Sequence, residues 1–274
     1  IGYGRAPRFS AEARMIQVDI DAAEIGRTRS VDVGIVGDAK SVLSQFNKAA
    51  AGRLRQSRYA DWVNHLAEID SQKAPAREKA MSTDQIPIHP LRLCKEIRDF
   101  LDRDAILVVD GQEILNFGRV SISTYVPRHR LNSGPFGCMG VGLPFGVGAK
   151  VAKPDTQVVV LHGDGSFGLN AMEVDTAVRH DIPVLTVISN NAGWTANDGY
   201  FSEEGFNVGR DLGFTRYDLM AEALGCHGEY VETPGEIRPA LERAAASGKP
   251  AVVNVITDPS ARAPAPEFTA YNAT

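Results

Sequence analysis

Short runs of apolar, largely β-branched residues alternate with amphipathic stretches along most of this chain. The runs at 105–109, 157–161, 183–189, 227–231 and 251–257 are nearly continuous in apolar character, as strands covered on both faces must be. Helical periodicity falls between them, near 141–151, 171–179, 218–224 and 236–246. A leading helix over 91–101 gathers Leu91, Leu93, Ile97, Phe100 and Leu101 toward one side. Such repetition predicts crossover units on both faces of one parallel sheet, a doubly wound α/β fold. Upstream, shorter runs at 15–19 and 31–36 flank a helical turn at 22–26, and a helix follows over 39–50, which reads as the tail of an α/β domain. The chain then turns polar and basic, with Trp62, Leu66 and Ile69 at helical spacing, and this predicts a helical linker ending at the prolines of 87–90. Beyond Asp258, Pro259, Pro264 and Pro266 without periodicity predict a loop or lid. The expected segments are therefore the C-terminal part of one α/β domain at 1–50, a helical linker at 51–90, the main domain at 91–257 and a tail or lid at 258–274.

Composition narrows the partners. With 274 residues, 43% of them hydrophobic, the chain can bury a sizeable core in one large or two medium domains. A formal net charge of -5 gives no reason to expect nucleic acid or an anionic membrane. Cys94, Cys138 and Cys226 are odd in number and widely spaced, so neither a disulfide framework nor a CxxC site is indicated. No apolar run approaches the roughly 20 residues of a spanning helix, and no signal peptide opens the chain. A cytoplasmic location is expected. The opening Ile1-Gly2-Tyr3-Gly4 reads like the middle of something, so a further N-terminal part is expected too.

Chemistry concentrates at two strand ends. Gly163-Asp164-Gly165 follows one run, and after 24 further residues Asn190-Asn191 closes the next. Adjacent parallel strands then present both groups at their carboxyl ends, where open α/β sheets bind ligands. Asp164 offers a carboxylate, Asn191 an amide oxygen and Gly193 a main-chain carbonyl, a donor set suited to a hard cation such as Mg²⁺, with a diphosphate supplying further oxygens. Gly165 and Gly168 let the backbone approach phosphate, Ser166 adds a hydroxyl donor, and a helix expected from near Asn170 aims its N–H groups at the same place. Gly163-x-Gly165-x-x-Gly168 also satisfies the dinucleotide fingerprint. That fingerprint wants an acid about 20 residues further on. Asn190-Asn191 stand there instead, and Asp164 would repel a pyrophosphate unless a metal intervened. A purely structural turn is the remaining alternative.

Gly163-Asp164-Gly165 and Asn190-Asn191 at this spacing resemble the signature of thiamine-diphosphate-dependent enzymes, and the similarity extends over most of the chain. The stretch Asn132-Ser133-Gly134-Pro135-Phe136-Gly137-Cys138-Met139-Gly140-Val141-Gly142-Leu143-Pro144 resembles the segment that holds the aminopyrimidine ring in the acetolactate-synthase-like superfamily. The resemblance implies that Met139 wedges beneath the cofactor and forces its bent conformation, and that the Gly137 carbonyl accepts a hydrogen bond from the 4′-amino group. A flexible thioether suits a gap between two rings, and the bend brings the amino nitrogen beside the thiazolium C2 to take its proton. Ordinary core packing is the other reading of Met139. The resemblance also implies Asp164, Asn191 and the Gly193 carbonyl as metal ligands, Gly163, Gly165 and Ser166 on the diphosphate, and Trp194 in the same site. Gln112 matches a position that often touches the diphosphate, although Gln112-Glu113 departs from the Gln-His of many relatives. Thiamine diphosphate and Mg²⁺ are the implied cofactors, held on the diphosphate-binding domain of the thiamine-diphosphate-binding fold.

The segments 17–21 and 33–38 resemble the end of the family's Rossmann-like middle domain, which binds FAD or an adenine nucleotide in some members. Asp19 and Asp38 would then face the ribose or adenine of ADP or coenzyme A, or serve simply as strand-end acids in turns. In the family the activating glutamate lies on an N-terminal pyrimidine-binding domain of the same or a neighbouring chain. No catalytic residue is therefore assigned within this sequence, and a homodimer or homotetramer is expected. Gly193-Trp194-Thr195 with 211–217 and 223–228 is similar to the 2-hydroxyacyl-CoA lyase and oxalyl-CoA decarboxylase branch. That implies cleavage or formation of a 2-hydroxyacyl-CoA, with formyl-CoA and an aldehyde or ketone as products. The loop 192–210 would face substrate, and Arg262 and Tyr271 would close over the CoA, with solvated disorder as the tail's other reading. A carboligase of acetolactate-synthase or benzaldehyde-lyase type, acting on 2-oxo acids or free aldehydes, shares every cofactor residue. A non-catalytic nucleotide-binding module is the alternative from another class.

Overall fold

The computed structural model describes residues 12–195 and 209–263. They fall into two compact units, one within the first 74 residues and one over Pro75–Pro264, so the division lies inside the polar segment 51–90.

In the first unit β1 (Ile16–Asp19) and β2 (Val33–Val36) pair in parallel, from Ile16 opposite Val33 to Asp19 opposite Val36. A 3₁₀ turn at Ala22–Glu24 lies between them, where the Gln17 amide donates to the Glu24 carbonyl at 2.6 Å and accepts the Gly26 N–H at 2.8 Å. Helix α1 (Ala39–Ala50) starts on Asp38, whose carboxylate accepts the Ser41 N–H at 2.9 Å and so meets one of the donors a helix start leaves open. Helix α2 (Ala60–Met81) forms along the polar segment, and Trp62, Leu66 and Ile69 are exposed on it. No helix among the described residues is long and apolar enough to cross a membrane.

The second unit is the expected doubly wound sheet. Helix α3 (Pro90–Phe100) begins with proline in its first turn and with His89 as cap, the ring accepting the Leu91 N–H at 3.1 Å. There follow β3 (Ile106–Asp110), α4 (Glu113–Ser121), β4 (Arg130–Leu131), α5 (Gly142–Ala152), β5 (Val158–Gly163), α6 (Asp164–Leu169) and α7 (Glu173–Arg179). The chain continues through β6 (Leu185–Asn190), α8 (Tyr217–Ala223), β7 (His227–Val231), α9 (Pro234–Ala246) and β8 (Ala251–Ile256). All six strands are parallel in the order β4-β3-β5-β6-β8-β7.

Alternate residues of each strand feed two cores. Leu107, Val109, Val159 and Leu161 pack with α3, α4 and α9, while Ile106, Val108, Val158 and Val160 pack with α5, α7 and α8. Each such side chain removed from water contributes about 1.5–3 kcal/mol, which is why these strands read as unbroken apolar runs. The packing is close. A Cβ on Gly146 of α5 would lie 2.3 Å from Val160 Cγ2 on β5, so only glycine lets the helix sit at this height.

The chain leaves β3 toward β4 on one side and leaves β5 toward β6 on the other, so the carboxyl ends of β3 and β5 bound a topological switch point, the usual ligand crevice of such sheets. Three elements were not foreseen: helix α4, the two-residue β4, and α6, which turns helical directly at Asp164; the helix expected from near Asn170 follows as α7 from Glu173. Phe167 explains the early start, because it is 1% exposed and meets His162 and Tyr217 edge-on, with ring centroids 5.6 and 5.2 Å away. Only a helical turn directly after β5 carries it inward.

Candidate cofactor and metal site

At the tip of β5, Gly163 is extended and Asp164 opens α6. Asp164 is 1% exposed. One carboxylate oxygen accepts the Gly165 N–H at 2.9 Å, while the other, Oδ2, is buried without a hydrogen-bond partner. Burial raises its pKa to about 6, against the pull of the N–H groups of Gly165, Gly193, Asp164 itself and Ala192. A buried carboxylate with an unmet oxygen costs stability that a cation would return.

The neighbouring tip supplies more oxygen. Asn190 ends β6 fully buried and braces the sheet, its amide donating to the Thr215 carbonyl and to Asn254 Oδ1, each at 3.1 Å. Asn191, just beyond, has one end of its amide 2.8 Å from Thr195 Oγ1 and the other 3.0 Å from the Gly193 carbonyl and 3.1 Å from Asp164 Oδ1; turned so that its nitrogen donates to the last two, its oxygen accepts from Thr195. Carboxylate, amide and carbonyl thus meet across the two tips. Two ligands at right angles on an octahedral Mg²⁺ stand about 3.0 Å apart, since each Mg–O distance is about 2.1 Å. Among the described residues no three His, Cys, Asp or Glu side chains cluster as a metal site, so the donor set is carboxylate, amide and carbonyl, the hard-cation type.

The loop that carries Asn191 and Gly193 is held in an uncommon course. Ala192 sits at φ 61°. Gly193 bridges antiparallel to Asp211, the Trp194 N–H donates to the Arg210 carbonyl at 2.9 Å, and the Leu212 N–H donates to the Ala192 carbonyl at 2.9 Å. A Cβ on Gly193 would stand 2.7 Å from the Arg210 oxygen. Trp194 lies over Gly165 so closely that a Cβ there would meet its ring at 2.7 Å. These two glycines are therefore required by contact.

A cavity of about 150 Å³ opens at the switch point. It gathers Gln112, Met139, Gly163, Asp164, Gly165, Ser166, Asn191, Gly193 and Trp194 from the residues singled out in the sequence. Gly137 does not line it; this residue ends a short 3₁₀ turn with φ 65°. Ser166 lines it, yet its hydroxyl points into the protein, 3.0 Å from the carbonyls of Asp110 and Gly163. Gly111 sits with φ 112°, and a Cβ there would lie 3.2 Å from the Gly163 nitrogen, so β3 and β5 come together only across glycine. Sequence reasoning missed Ile114, Phe117, Pro90 and Ala261 on the apolar walls. Ala261 is brought there by Glu113, whose carboxylate accepts the Ala263 N–H at 2.8 Å. No local pattern signals that pairing.

The remaining expected residues lie elsewhere. Asp19 accepts the Asp21 N–H and Asp38 caps α1, both in the first unit. Arg262 donates to the carbonyls of Pro259 and Ala261. Tyr271 and residues 196–208 of the expected substrate loop fall outside the described residues. Burial pushes the Cys94 and Cys226 thiols up to about 12 and 11, which leaves them protonated and unreactive. Thiamine diphosphate with Mg²⁺ fits this site on three counts: the unmet Asp164 oxygen, the Gly193 carbonyl and Asn191 amide beside the same carboxylate, and the cavity that opens over Gly163 and Gly165.

Comparison with known proteins agrees. Residues 114–255 match the family described as thiamine pyrophosphate enzyme, C-terminal TPP binding domain, and residues 2–46 match its central domain. The acetolactate synthase large subunit of Mycobacterium tuberculosis is 40% identical over 96% of this chain and 47% of its own length. The 2-hydroxyacyl-CoA lyase of Oryza sativa is 35% identical over 95% of this chain and 47% of its own. The oxalyl-CoA decarboxylase of Escherichia coli is 33% identical over 96% of this chain and 47% of its own. The chain thus spans about half the length of the relatives it matches. With Asp164, Asn191 and Gly193 brought together inside the matched region, the chain belongs to the thiamine pyrophosphate enzymes, in the superfamily that includes these relatives.

Proposed function

We propose that this chain is the cofactor-gripping part of a thiamine-diphosphate- and Mg²⁺-dependent enzyme that breaks or forms a carbon–carbon bond beside a carbonyl. The observation that carries this is the meeting of Asp164 Oδ1, the Asn191 amide and the Gly193 carbonyl on a buried carboxylate whose other oxygen, Oδ2, has no partner. Asp164, Asn191 and Gly193 would hold the ion, and Gly163, Gly165 and Gln112 would stand beside the diphosphate. Bound thiamine diphosphate would supply a nucleophilic carbon and an electron sink for the adjacent bond. Met139 would face the cofactor's rings, and Trp194, which lies over Gly165, would cover the metal side. The activating glutamate is assigned to an N-terminal pyrimidine-binding domain of the same or a neighbouring chain, which makes a homodimer or homotetramer the expected assembly. Calorimetry on the intact protein tests the reading: Asp164→Ala weakens Mg²⁺-dependent thiamine diphosphate binding by about 100-fold or more. Unchanged, metal-independent binding in that variant overturns it.

For the substrate, the similarity of 193–195, 211–217 and 223–228 to the lyase branch supports cleavage or formation of a 2-hydroxyacyl-CoA, giving formyl-CoA and an aldehyde or ketone. A second reading, an acetolactate-type carboligation of 2-oxo acids, is favoured by the 40% identity to the mycobacterial relative. Parallel assays of the intact protein with a branched 2-hydroxyacyl-CoA and with pyruvate separate them. Formyl-CoA release supports the first; acetolactate formation without formyl-CoA overturns it in favour of the second.

A further inference from the structure

Met139 lines the cavity while remaining 41% exposed, so apolar packing alone does not hold it there. The fixings lie one to three residues further on. Asp110 ends β3, is 3% exposed, and its Oδ2 accepts the Gly142 N–H at 2.8 Å. The N–H groups of Gly140, Val141 and Gly111 add to the same carboxylate. From the opposite side the Asn170 amide donates to the Gly140 carbonyl at 2.6 Å.

The glycines have no freedom to change. Gly140 has φ 89° and its Cβ would lie 2.9 Å from Leu169 Cβ, while a Cβ on Gly142 would lie 2.7 Å from Asp110 Cβ and 2.4 Å from the His162 ring. Asp110 also reaches the diphosphate turn, because its main-chain carbonyl accepts the Ser166 hydroxyl at 3.0 Å. One residue therefore touches both segments that face the cavity, through its carboxylate on one side and its carbonyl on the other.

We infer that Asp110 is a positioning residue: by gathering the amides of Gly140, Val141 and Gly142 it sets where Met139 stands relative to the turn at Asp164–Ser166. The inference rests on the proposed function, in which Met139 faces the cofactor's rings. Asn170 is its counterpart, steadying the same segment from the solvent side. A carboxylate that accepts several amide protons is among the stronger neutralised arrangements in a protein interior, so its loss loosens the segment more than loss of a neutral acceptor.

The test uses the intact protein with Asp110→Asn, which keeps the shape but removes the charge and turns a donor toward the amides. Hydrogen exchange at the amides of Gly140 to Gly142, measured without cofactor, becomes about tenfold faster or more. With thiamine diphosphate and Mg²⁺ added, the dissociation constant shifts less than about threefold, whereas exchange of the cofactor's C2 proton with D₂O slows about tenfold. A folded variant with unchanged amide exchange overturns the tether, and faster amides with an unchanged C2 proton overturn the positioning role alone. Wild-type protein that binds no thiamine diphosphate overturns the proposed function and this role together. Should Asp110→Asn fail to fold, Asn170→Ala, at an exposed residue, carries the same measurements with about threefold expected changes.

Discussion

Asp19, Asp38, Asp110 and Asp164 all stand at or just beyond strand ends, and the two pairs behave in opposite ways. Asp19 and Asp38, in the first unit, accept nearby backbone N–H groups and remain at the surface. The bonds from Ser41 hold the Asp38 carboxyl below its ordinary range. Asp110 and Asp164, in the second unit, are buried, and burial holds both carboxyls above theirs. Surface acids at strand ends serve their own turn. Buried ones need partners from further away: Asp110 has a set of backbone amides, whereas Asp164 Oδ2 has no partner.

The largest effect comes from removing what seats Asp164. Phe167→Ala empties the space between His162 and Tyr217 and lowers stability by about 3–5 kcal/mol, read by chemical denaturation, with loss of cofactor binding because α6 no longer starts at Asp164. Next, Asp164→Ala stabilises the cofactor-free protein by about 1–2 kcal/mol at neutral pH, since it deletes an under-solvated buried charge. A destabilised variant would put Asp164 with the self-sufficient acids. Asp38→Ala has the reverse sign and a small size, lowering the melting temperature slightly while leaving thiamine diphosphate affinity unchanged.

The smallest effect concerns a buried acid that has found side-chain partners. Burial alone would raise Asp218, but the Arg216 guanidinium, bound at 2.6 Å, and the Asn254 amide outweigh it and hold the carboxyl below 3.8. Because the folded value is depressed, its contribution is present above pH 3.8 and is lost as pH falls through the lower folded value. Acid titration of Asp218→Asn by circular dichroism therefore shows lower stability near neutrality and a shallower decline below about pH 4 than the wild type.

Much of the sheet was legible because burial on both faces writes itself as apolar runs. The strand at 227–231 and the helix at 39–50 fall where periodicity places them. Helix α4 was hidden because it carries Gly118 inside and starts at Gln112 without a side-chain cap, both poor signals of a helix. The start of α6 was hidden for a related reason. Gly165 and Gly168 argue against a helix, and only the burial of Phe167 overrides them. The grouping of Asp164, Asn191 and Gly193 was visible from two strand tips, since neighbouring parallel strands bring consecutive tips together. Asp110 was not, because its partner amide lies 32 residues away and nothing local announces the pair.

One side chain joins three residues across two strand tips. The Asn191 nitrogen donates to the Gly193 carbonyl at 3.0 Å and to Asp164 Oδ1 at 3.1 Å, while its oxygen accepts from Thr195 Oγ1 at 2.8 Å. A cation that took an oxygen from Asn191 would have to turn this amide over, so that filling the site would exchange these bonds for its own.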